Sequence, residues 1–129
     1  MHVTILAIGS RGDVQPCVAL GIGLQTTGFD VRGVSHSEIR PLTRPRGLEF
    51  VPVMCSFREL LSTHSRWTAS RSVFGYMSGM RRTLAQIGAQ VIRDYWLASQ
   101  DTDALVSNFT PVLSHPIARG RDLPLVQVY

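Results

Sequence analysis

Short, nearly continuous apolar runs recur along the 129 residues of the chain, separated by longer stretches of mixed polarity. The first run, HVTILAI at residues 2–8, is rich in β-branched residues, a pattern typical of a strand buried on both faces of a parallel sheet. Comparable runs lie at residues 29–35, 48–53, 103–108 and 123–129. The pattern therefore predicts five strands.

The stretch after the first run predicts a helix over residues 15–28, with the sequence QPCVALGIGLQTTG. Pro16 is tolerated in a first helical turn, where the missing N–H has no partner within the helix. Gly28 suits the position just past a helix end, where the backbone often takes a positive φ. The second predicted strand follows directly.

Further helices are predicted between the later strands. The longest covers residues 73–99, where apolar residues recur at steps of three or four and form one face of an amphipathic helix. Those residues are Phe74, Met77, Met80, Leu84, Ile87, Val91 and Tyr95. Residues 37–47 and 57–64 predict short helices, and residues 111–120 predict a helix that Pro116 interrupts.

Strands that alternate with helices predict an α/β fold, with a parallel sheet flanked by helices. The length suits one domain with a sizeable core, and no linker or internal repeat divides it. The last apolar run, residues 123–129, is followed by no covering helix. We therefore expect this chain to be the first part of a larger protein.

The charge of the chain does not favour nucleic-acid binding. The net charge is +4, and every basic residue is arginine. The arginines are scattered, and their densest patch, RPLTRPR at residues 40–46, contains no aromatic side chain that could stack on a base. A solvated basic surface is the simpler interpretation.

Cysteine content and hydropathy predict a cytoplasmic location. Cys17 and Cys55 are the two cysteines, too few for a disulfide framework or a cysteine metal cluster. The N-terminus lacks the basic segment of a signal peptide. No apolar run approaches the roughly 20 residues of a membrane span, and peripheral membrane contact stays open.

The segment GSRGD, residues 9–13, lies between the first strand and the first helix, where ligands of parallel sheets bind. Gly9 and Gly12 permit a positive φ and the close approach of another molecule. The backbone N–H groups of Asp13, Val14 and Gln15 would favour an anion. Asp13 is a candidate N-cap, because its carboxylate can accept hydrogen bonds from these groups.

Several known phosphate motifs do not fit this segment. The spacing Gly9-x-x-Gly12 is not that of a dinucleotide fingerprint, and no acidic residue closes the second strand, since Glu38 comes too late. A Walker loop requires a lysine, which the chain lacks. From the residues alone, Asp13 as a helix cap and Asp13 as a functional carboxylate both remain open.

The segment GSRGDVQP, residues 9–16, together with the sequence up to residue 36 and GLEFVPV at residues 47–53, resembles a known family. It is similar to the N-terminal domain of two-domain (GT-B) glycosyltransferases. The nearest kinds are sterol-glucosyltransferase-like enzymes and those that glycosylate glycopeptide and polyketide antibiotics. DALVSN and HPIARGRDLPLVQVY resemble the later strands and helix of the same domain. The resemblance implies the Rossmann-like N-terminal half of a GT-B fold.

The resemblance also implies roles for the residues of this loop. It assigns the general base to Asp13, which would take the proton of an acceptor hydroxyl while positive charge develops on the sugar. It places Ser10 and Arg11 in the cleft near the donor phosphates. Gly12 would allow substrate to approach the backbone closely. No metal is implied at the site.

The resemblance further implies an inverting transfer from a nucleotide-diphosphate sugar to a hydroxyl of a lipophilic acceptor. The donor sugar would be a co-substrate bound mainly by a C-terminal domain that this sequence lacks, and no cofactor is expected. The partners are then the acceptor and the donor domain or a partner chain, and this piece alone is expected to be inactive. The alternatives are a non-catalytic acceptor-binding subunit and an unrelated nucleotide-binding α/β domain.

Other candidate residues follow from position. Asn108 ends the fourth strand at the same sheet edge as Asp13 and could orient Asp13 or the acceptor. His36 follows the second strand, and an exposed loop histidine is favoured over a cleft residue. The four histidines lack metal-ligand spacing. Residues 57–80, with Trp67, could wall an acceptor groove, although ordinary packing is the simpler interpretation.

Overall fold

The computed structural model describes residues 1–43, 47–54, 73–108 and 111–128. Five parallel strands form one sheet in the order β3-β2-β1-β4-β5. The strands are β1 (His2–Leu6), β2 (Asp30–His36), β3 (Glu49–Val53), β4 (Ala104–Ser107) and β5 (Leu125–Gln127). All five predicted strands are confirmed, each within a few residues of its predicted bounds.

The first helix, α1 (Arg11–Thr26), begins earlier than predicted. Ser10 is its N-cap and Asp13 is its third residue, so the prediction of Asp13 as the N-cap is wrong. A helix that starts with Ser at the N-cap can use an acidic third residue to bind back to the N-cap backbone, which moves the start upstream. Pro16 consequently lies inside the helix, where it cannot donate to the Gly12 carbonyl.

α1 ends at Thr26, and Gly28 closes it as predicted. Gly28 has a φ of +93°, and its N–H donates to the Gln25 carbonyl at 3.0 Å. The N–H of Phe29 donates to the Leu24 carbonyl at 3.2 Å. This pair of bonds satisfies carbonyls that the helix leaves open and turns the chain into β2.

Two short helical segments follow β2, and two longer helices follow β3 and β4. A 3-10 turn (Ser37–Ile39) leads into α2 (Arg40–Thr43), and the later helices are α3 (Val73–Ala98) and α4 (Pro111–Arg121). The interruption predicted at Pro116 is wrong, because α4 continues through it. Pro116 lies near the helix start, so only one early carbonyl loses its partner. The helix predicted over 57–64, Cys55 and Trp67 lie outside the described residues.

Apolar side chains cover both faces of the sheet, as the continuous apolar strands predict. The face toward α1 buries Val3, Ile5, Ala7, Val14, Cys17, Val18, Val31, Ile39, Leu48 and Val106. The face toward α3 and α4 buries Leu6, Val34, Val53, Val91, Tyr95, Ala98, Leu105, Ile117 and Ala118. For Ile87, Val91 and Tyr95 the predicted apolar face of α3 is confirmed.

β1 is the central strand, and the order in which successive strands join the sheet changes side at β1. The chain proceeds from β1 outward to β2 and β3, then returns to β4 on the opposite side of β1. In open parallel sheets, ligands bind beyond the carboxyl ends of the strands at this kind of reversal. The segment after β1 and the segment after β4 therefore border the expected binding position.

Candidate functional site

An open groove of ≈ 340 Å³ lies at the expected binding position, where the carboxyl ends of β1 and β4 meet the start of α1. Asp13 and Asn108 both line it, one from each side of the strand reversal. The full set of lining residues is Gly12, Asp13, Pro16, Cys17, Leu20, Asn108 and Val128. The groove thus combines one carboxylate and one amide with mostly apolar side chains.

Asp13 presents its carboxylate at the exposed end of α1. Oδ2 accepts the backbone N–H of Ser10 at 2.7 Å and the Ser10 hydroxyl at 2.6 Å. Among the described residues, no hydrogen bond ends on Oδ1. The carboxylate is therefore oriented through one oxygen, while the other can accept a proton from a bound molecule.

The other residues of the GSRGD loop divide between the groove and its surroundings. Gly12 lines the groove, Ser10 binds Asp13, and Arg11 is exposed at the first helical position outside the groove lining. The backbone N–H groups of Asp13 and Val14 donate to the Ser10 carbonyl at 3.1 and 3.2 Å. The prediction that these two groups point freely toward an anion is therefore wrong, because the earlier helix start uses them.

Asn108 is nearly fully buried, with 3% of its surface exposed, and holds the chain that follows β1. Its Nδ2 donates to the Ile8 carbonyl at 2.7 Å, and its backbone N–H donates to the Leu6 carbonyl at 3.3 Å. Asn108 thus fixes the segment that leads into α1. Asn108 and Asp13 share the groove, as their positions at one sheet edge predict.

His36 is buried, not exposed as expected from its position after the second strand. Its Nε2 lies 2.8 Å from the Gly9 carbonyl oxygen, and its Nδ1 lies 3.2 Å from Oε2 of Glu38. The strand continues one residue further than predicted, to His36 itself, and this brings the ring under the loop after β1.

Cys17, Leu20 and Val128 are groove residues that sequence reasoning did not identify as such. Asp13, Cys17 and Leu20 follow one another at steps of four and three along α1, so helical spacing could have placed them on one face. Val128 comes from the end of β5, and no local pattern connects it with α1. Its backbone N–H donates to the Ser107 carbonyl at 2.9 Å, which extends the sheet beside the groove.

The thiol of Cys17 is held in its neutral form. Burial raises the pKa of the Cys17 thiol, and the negative charge of Asp13 raises this pKa further. The thiolate is the nucleophilic form of cysteine, so Cys17 is a lining residue of low reactivity.

We expect iodoacetamide to alkylate Cys17 much more slowly in the folded chain than in urea at about pH 8, near the pKa of an ordinary thiol. Asp13→Asn should speed the reaction by removing the neighbouring charge, whereas the exposed control Asp122→Asn should not. Site-resolved mass spectrometry separates Cys17 from Cys55. An alkylation rate of Cys17 in the folded chain equal to that in urea would refute the low reactivity of this thiol.

A second cluster of polar groups lies at the opposite edge of the sheet, formed by the amino ends of β1, β2 and β3. One ligand atom each from His2, Asp30 and Glu49 lies within 4.8 Å of the others. Glu49 is already paired with Arg32, whose Nε lies 2.8 Å from Oε1. The guanidinium charge opposes a cation here, and the cluster lies at the amino ends of the strands, away from the groove. Sequence spacing could not reveal it, because each residue belongs to a different strand.

Within the described ranges, no helix is both long and apolar enough to cross a membrane. The side chains predicted to wall an acceptor groove, at residues 57–80, lie outside those described.

The fold and the groove define the class of this protein: a Rossmann-like α/β domain with an open groove at the strand reversal. Among solved structures, the chain is similar to SsfS6, a Streptomyces sp. SF2575 glycosyltransferase, with a TM-score of 0.74 at 18% identity, covering 98% of this chain and 38% of that one. It is also similar to CalG4, the calicheamicin glycosyltransferase, with a TM-score of 0.77 at 17% identity, covering 98% and 31%. The predicted fold, the N-terminal half of a GT-B glycosyltransferase, is confirmed.

Sequence comparison identifies the family. Residues 3–112 match the Glycosyltransferase family 28 N-terminal domain, and the chain belongs to this family. It is 30% identical over 129 residues to a sterol 3-beta-glucosyltransferase of Pichia angusta, covering 98% of this chain and 10% of that protein. It is 32% identical over 127 residues to the Emericella nidulans protein of the same name, covering 96% and 9%. The chain therefore spans about a tenth of these relatives' length.

Proposed function

We propose that this chain is the acceptor-binding domain of an inverting glycosyltransferase, with Asp13 as the general base. The observation that carries the proposal is the single carboxylate of Asp13 on the wall of a mostly apolar groove at the strand reversal. A lipophilic molecule with one hydroxyl fits such a groove, because apolar surface binds its body and the carboxylate accepts its proton. Family membership supports the proposal independently.

The proposed reaction uses Oδ1, the carboxylate oxygen of Asp13 that the hydrogen bonds from Ser10 leave open. The acceptor hydroxyl donates its proton to Oδ1 of Asp13 while its oxygen forms a bond to the anomeric carbon of the sugar. The bond between that carbon and the nucleotide diphosphate breaks, and its electron pair leaves with the diphosphate. Attack opposite the leaving group inverts the anomeric configuration. A positioned base of this kind contributes about 10²- to 10⁴-fold to the rate.

Ser10 supports this role by holding the carboxylate in place. Its N–H and hydroxyl both bind Oδ2, and two hydrogen bonds to one oxygen hold the carboxylate in a single orientation. Oδ1 then stays open for the acceptor hydroxyl while Oδ2 is held by Ser10. Preorganisation of this kind reduces the cost of reaching the reactive geometry.

The nucleotide-diphosphate sugar is proposed to be bound mainly outside this chain, by a C-terminal domain or a partner chain. The small share of its relatives that the chain spans supports this division. Arg11 is exposed and makes no ion pair within the described part of the chain. Its guanidinium could therefore reach the diphosphate from the acceptor side, since arginine binds phosphate oxygens in pairs.

The class of acceptor is proposed from the groove and from the relatives together. Pro16, Leu20 and Val128 supply apolar contact, and the similar fungal proteins are named for sterol glucosylation. A sterol carries a single hydroxyl on a rigid apolar body. It is therefore the acceptor of choice for a first binding experiment.

Leu20→Arg is expected to weaken sterol binding by about tenfold or more. Leu20 is 37% exposed in the free chain, and a bound sterol that covers this surface with apolar contact gains about 1–2 kcal/mol, where each 1.4 kcal/mol changes affinity about tenfold. Equilibrium binding of a radiolabelled sterol to the chain, with the sterol supplied in detergent micelles, measures the change. Leu97→Arg is the matched control, because Leu97 is 56% exposed on α3 away from the groove. Equal effects of the two substitutions would reject this groove as the acceptor site.

A further inference from the structure

In the loop after β1, the carbonyls of two successive residues, Ile8 and Gly9, each bind a buried side chain. One of these side chains comes from the end of β2 and the other from the residue just after β4. Asn108, just after β4, donates to the Ile8 carbonyl at 2.7 Å. His36, the last residue of β2, binds the Gly9 carbonyl at 2.8 Å. Because β2 and β4 flank β1, the loop is held from both sides.

The Gly9–Ser10 peptide group connects His36 directly with Asp13. The carbonyl of this peptide is bound by Nε2 of His36, and its N–H, contributed by Ser10, donates to Oδ2 of Asp13 at 2.7 Å. A carbonyl oxygen only accepts, so Nε2 carries the proton. Since a peptide group is planar, a rotation that breaks one of these hydrogen bonds also breaks the other.

The surroundings of this peptide leave little room for another arrangement. Gly9 has a φ of +145°, which L side chains rarely adopt, and a Cβ built there would lie 2.7 Å from Oδ2 of Asp13. The Gly9 backbone therefore packs directly on the carboxylate. The His36 ring has 3% of its surface exposed, and Glu38 contacts its second nitrogen at 3.2 Å. The ring is therefore enclosed, with Nε2 on the Gly9 carbonyl.

We propose that His36 is a positioning residue for the Asp13 carboxylate and acts on it through the Gly9–Ser10 peptide. The N–H of His36 orients and polarises this peptide, and hydrogen bonds in such a chain strengthen one another. The Ser10 N–H is thereby aimed at Oδ2, and Oδ1 is turned to the groove. The inference rests on the proposed role of Asp13, but the hydrogen-bond chain itself can be tested without catalysis.

The test follows the Ser10 amide proton of the isotope-labelled chain by NMR. His36→Gln places an amide nitrogen near the position of Nε2, whereas the shorter side chain in His36→Asn does not reach the Gly9 carbonyl. We expect the Asn variant to move the Ser10 amide proton upfield and to speed its exchange with solvent by about tenfold, the factor for one net hydrogen bond. The Gln variant should stay close to the native values.

A control separates positioning from general stability. Thr4→Val removes the buried hydrogen bond between Thr4 and Thr102, far from the loop. It should lower stability and leave the Ser10 amide shift unchanged. In a protein carrying the donor domain, His36→Asn should lower kcat about tenfold without a matching change in the acceptor KM, and His36→Gln should restore kcat.

An unchanged Ser10 amide in His36→Asn, or in His36→Phe where the Asn variant does not fold, would overturn the inference, as would a native amide shift accompanied by lost kcat. The Phe variant preserves ring volume and serves if the Asn variant does not fold. Failure of the His36 inference can be told apart from failure of Asp13 as the base. If Asp13→Asn keeps full turnover, the base assignment fails, whatever the Ser10 amide shows.

Discussion

Replacing Asp13 by asparagine should lower turnover by about 10²- to 10⁴-fold, the range that a positioned general base contributes. The asparagine side-chain oxygen can still accept the Ser10 N–H, so the helix start and the shape of the groove are retained. The amide cannot take the proton of the acceptor hydroxyl. The loss should therefore fall on kcat, with acceptor binding largely preserved.

The measurement requires a protein that contains this chain together with its donor domain, with sugar transfer followed by product formation. Asp122→Asn is the matched control, because Asp122 is exposed after α4 and has a positive φ, 54°, that asparagine tolerates well. Circular dichroism should show both variants folded. Turnover retained by Asp13→Asn would remove Asp13 as the base.

The largest effect on stability is expected from Leu105→Ala, which should reduce the free energy of unfolding by about 2–5 kcal/mol. Leu105 lies in β4 with 0% of its surface exposed, in register with Thr4 on one side and Leu125 on the other. Its side chain belongs to the core between the sheet and helices α3 and α4. Truncation leaves a cavity that the flanking strands cannot close.

Urea unfolding monitored by circular dichroism measures this change. Leu97→Ala makes the same substitution at a residue that is 56% exposed, and it should change the free energy by no more than about 0.5 kcal/mol. A similar, small effect at both leucines would contradict the placement of β4 in the centre of the core.

The strands were predictable because each is a short apolar run, and a parallel sheet buries both of its faces. The carboxyl edge of such a sheet then brings together residues that follow different strands, which is how Asp13 and Asn108 could be placed near one site. The residues that line the rest of the groove were harder. Val128 reaches it only because β5 lies beside β4, and this depends on the tertiary strand order.

The errors at helix boundaries have local causes. The sequence predicts a helix start at Pro16 and an interruption at Pro116, yet each proline lies in the second turn of its helix. A proline there removes one hydrogen bond to an early carbonyl, a cost that packing of the helix on the sheet outweighs. Ser10 begins α1 because Asp13 binds back to it. Serine followed three residues later by an acidic residue is the sequence signature of this reciprocal contact, and it places the helix start at Ser10 and not at Asp13.

His36 shows why burial of polar residues is hard to predict. A histidine after a strand is usually a surface residue. Nothing in the local sequence indicates that the side chain will meet a carbonyl from the loop after β1. The Gly9 carbonyl is that partner, and a buried donor is stable only when such an acceptor is present. Only the three-dimensional neighbourhood of β1 and β2 reveals it.

The most direct measurement of the central claim is mapping of amide chemical shifts on this chain during titration with a sterol acceptor. We predict that the shifts cluster at Gly12, Asp13, Leu20 and Asn108, and that the opposite edge around His2 and Glu49 stays unchanged. A nucleotide-diphosphate sugar added alone should produce no comparable cluster. Strong shifts with the sugar nucleotide and none with the sterol would contradict the account and favour a nucleotide-binding domain.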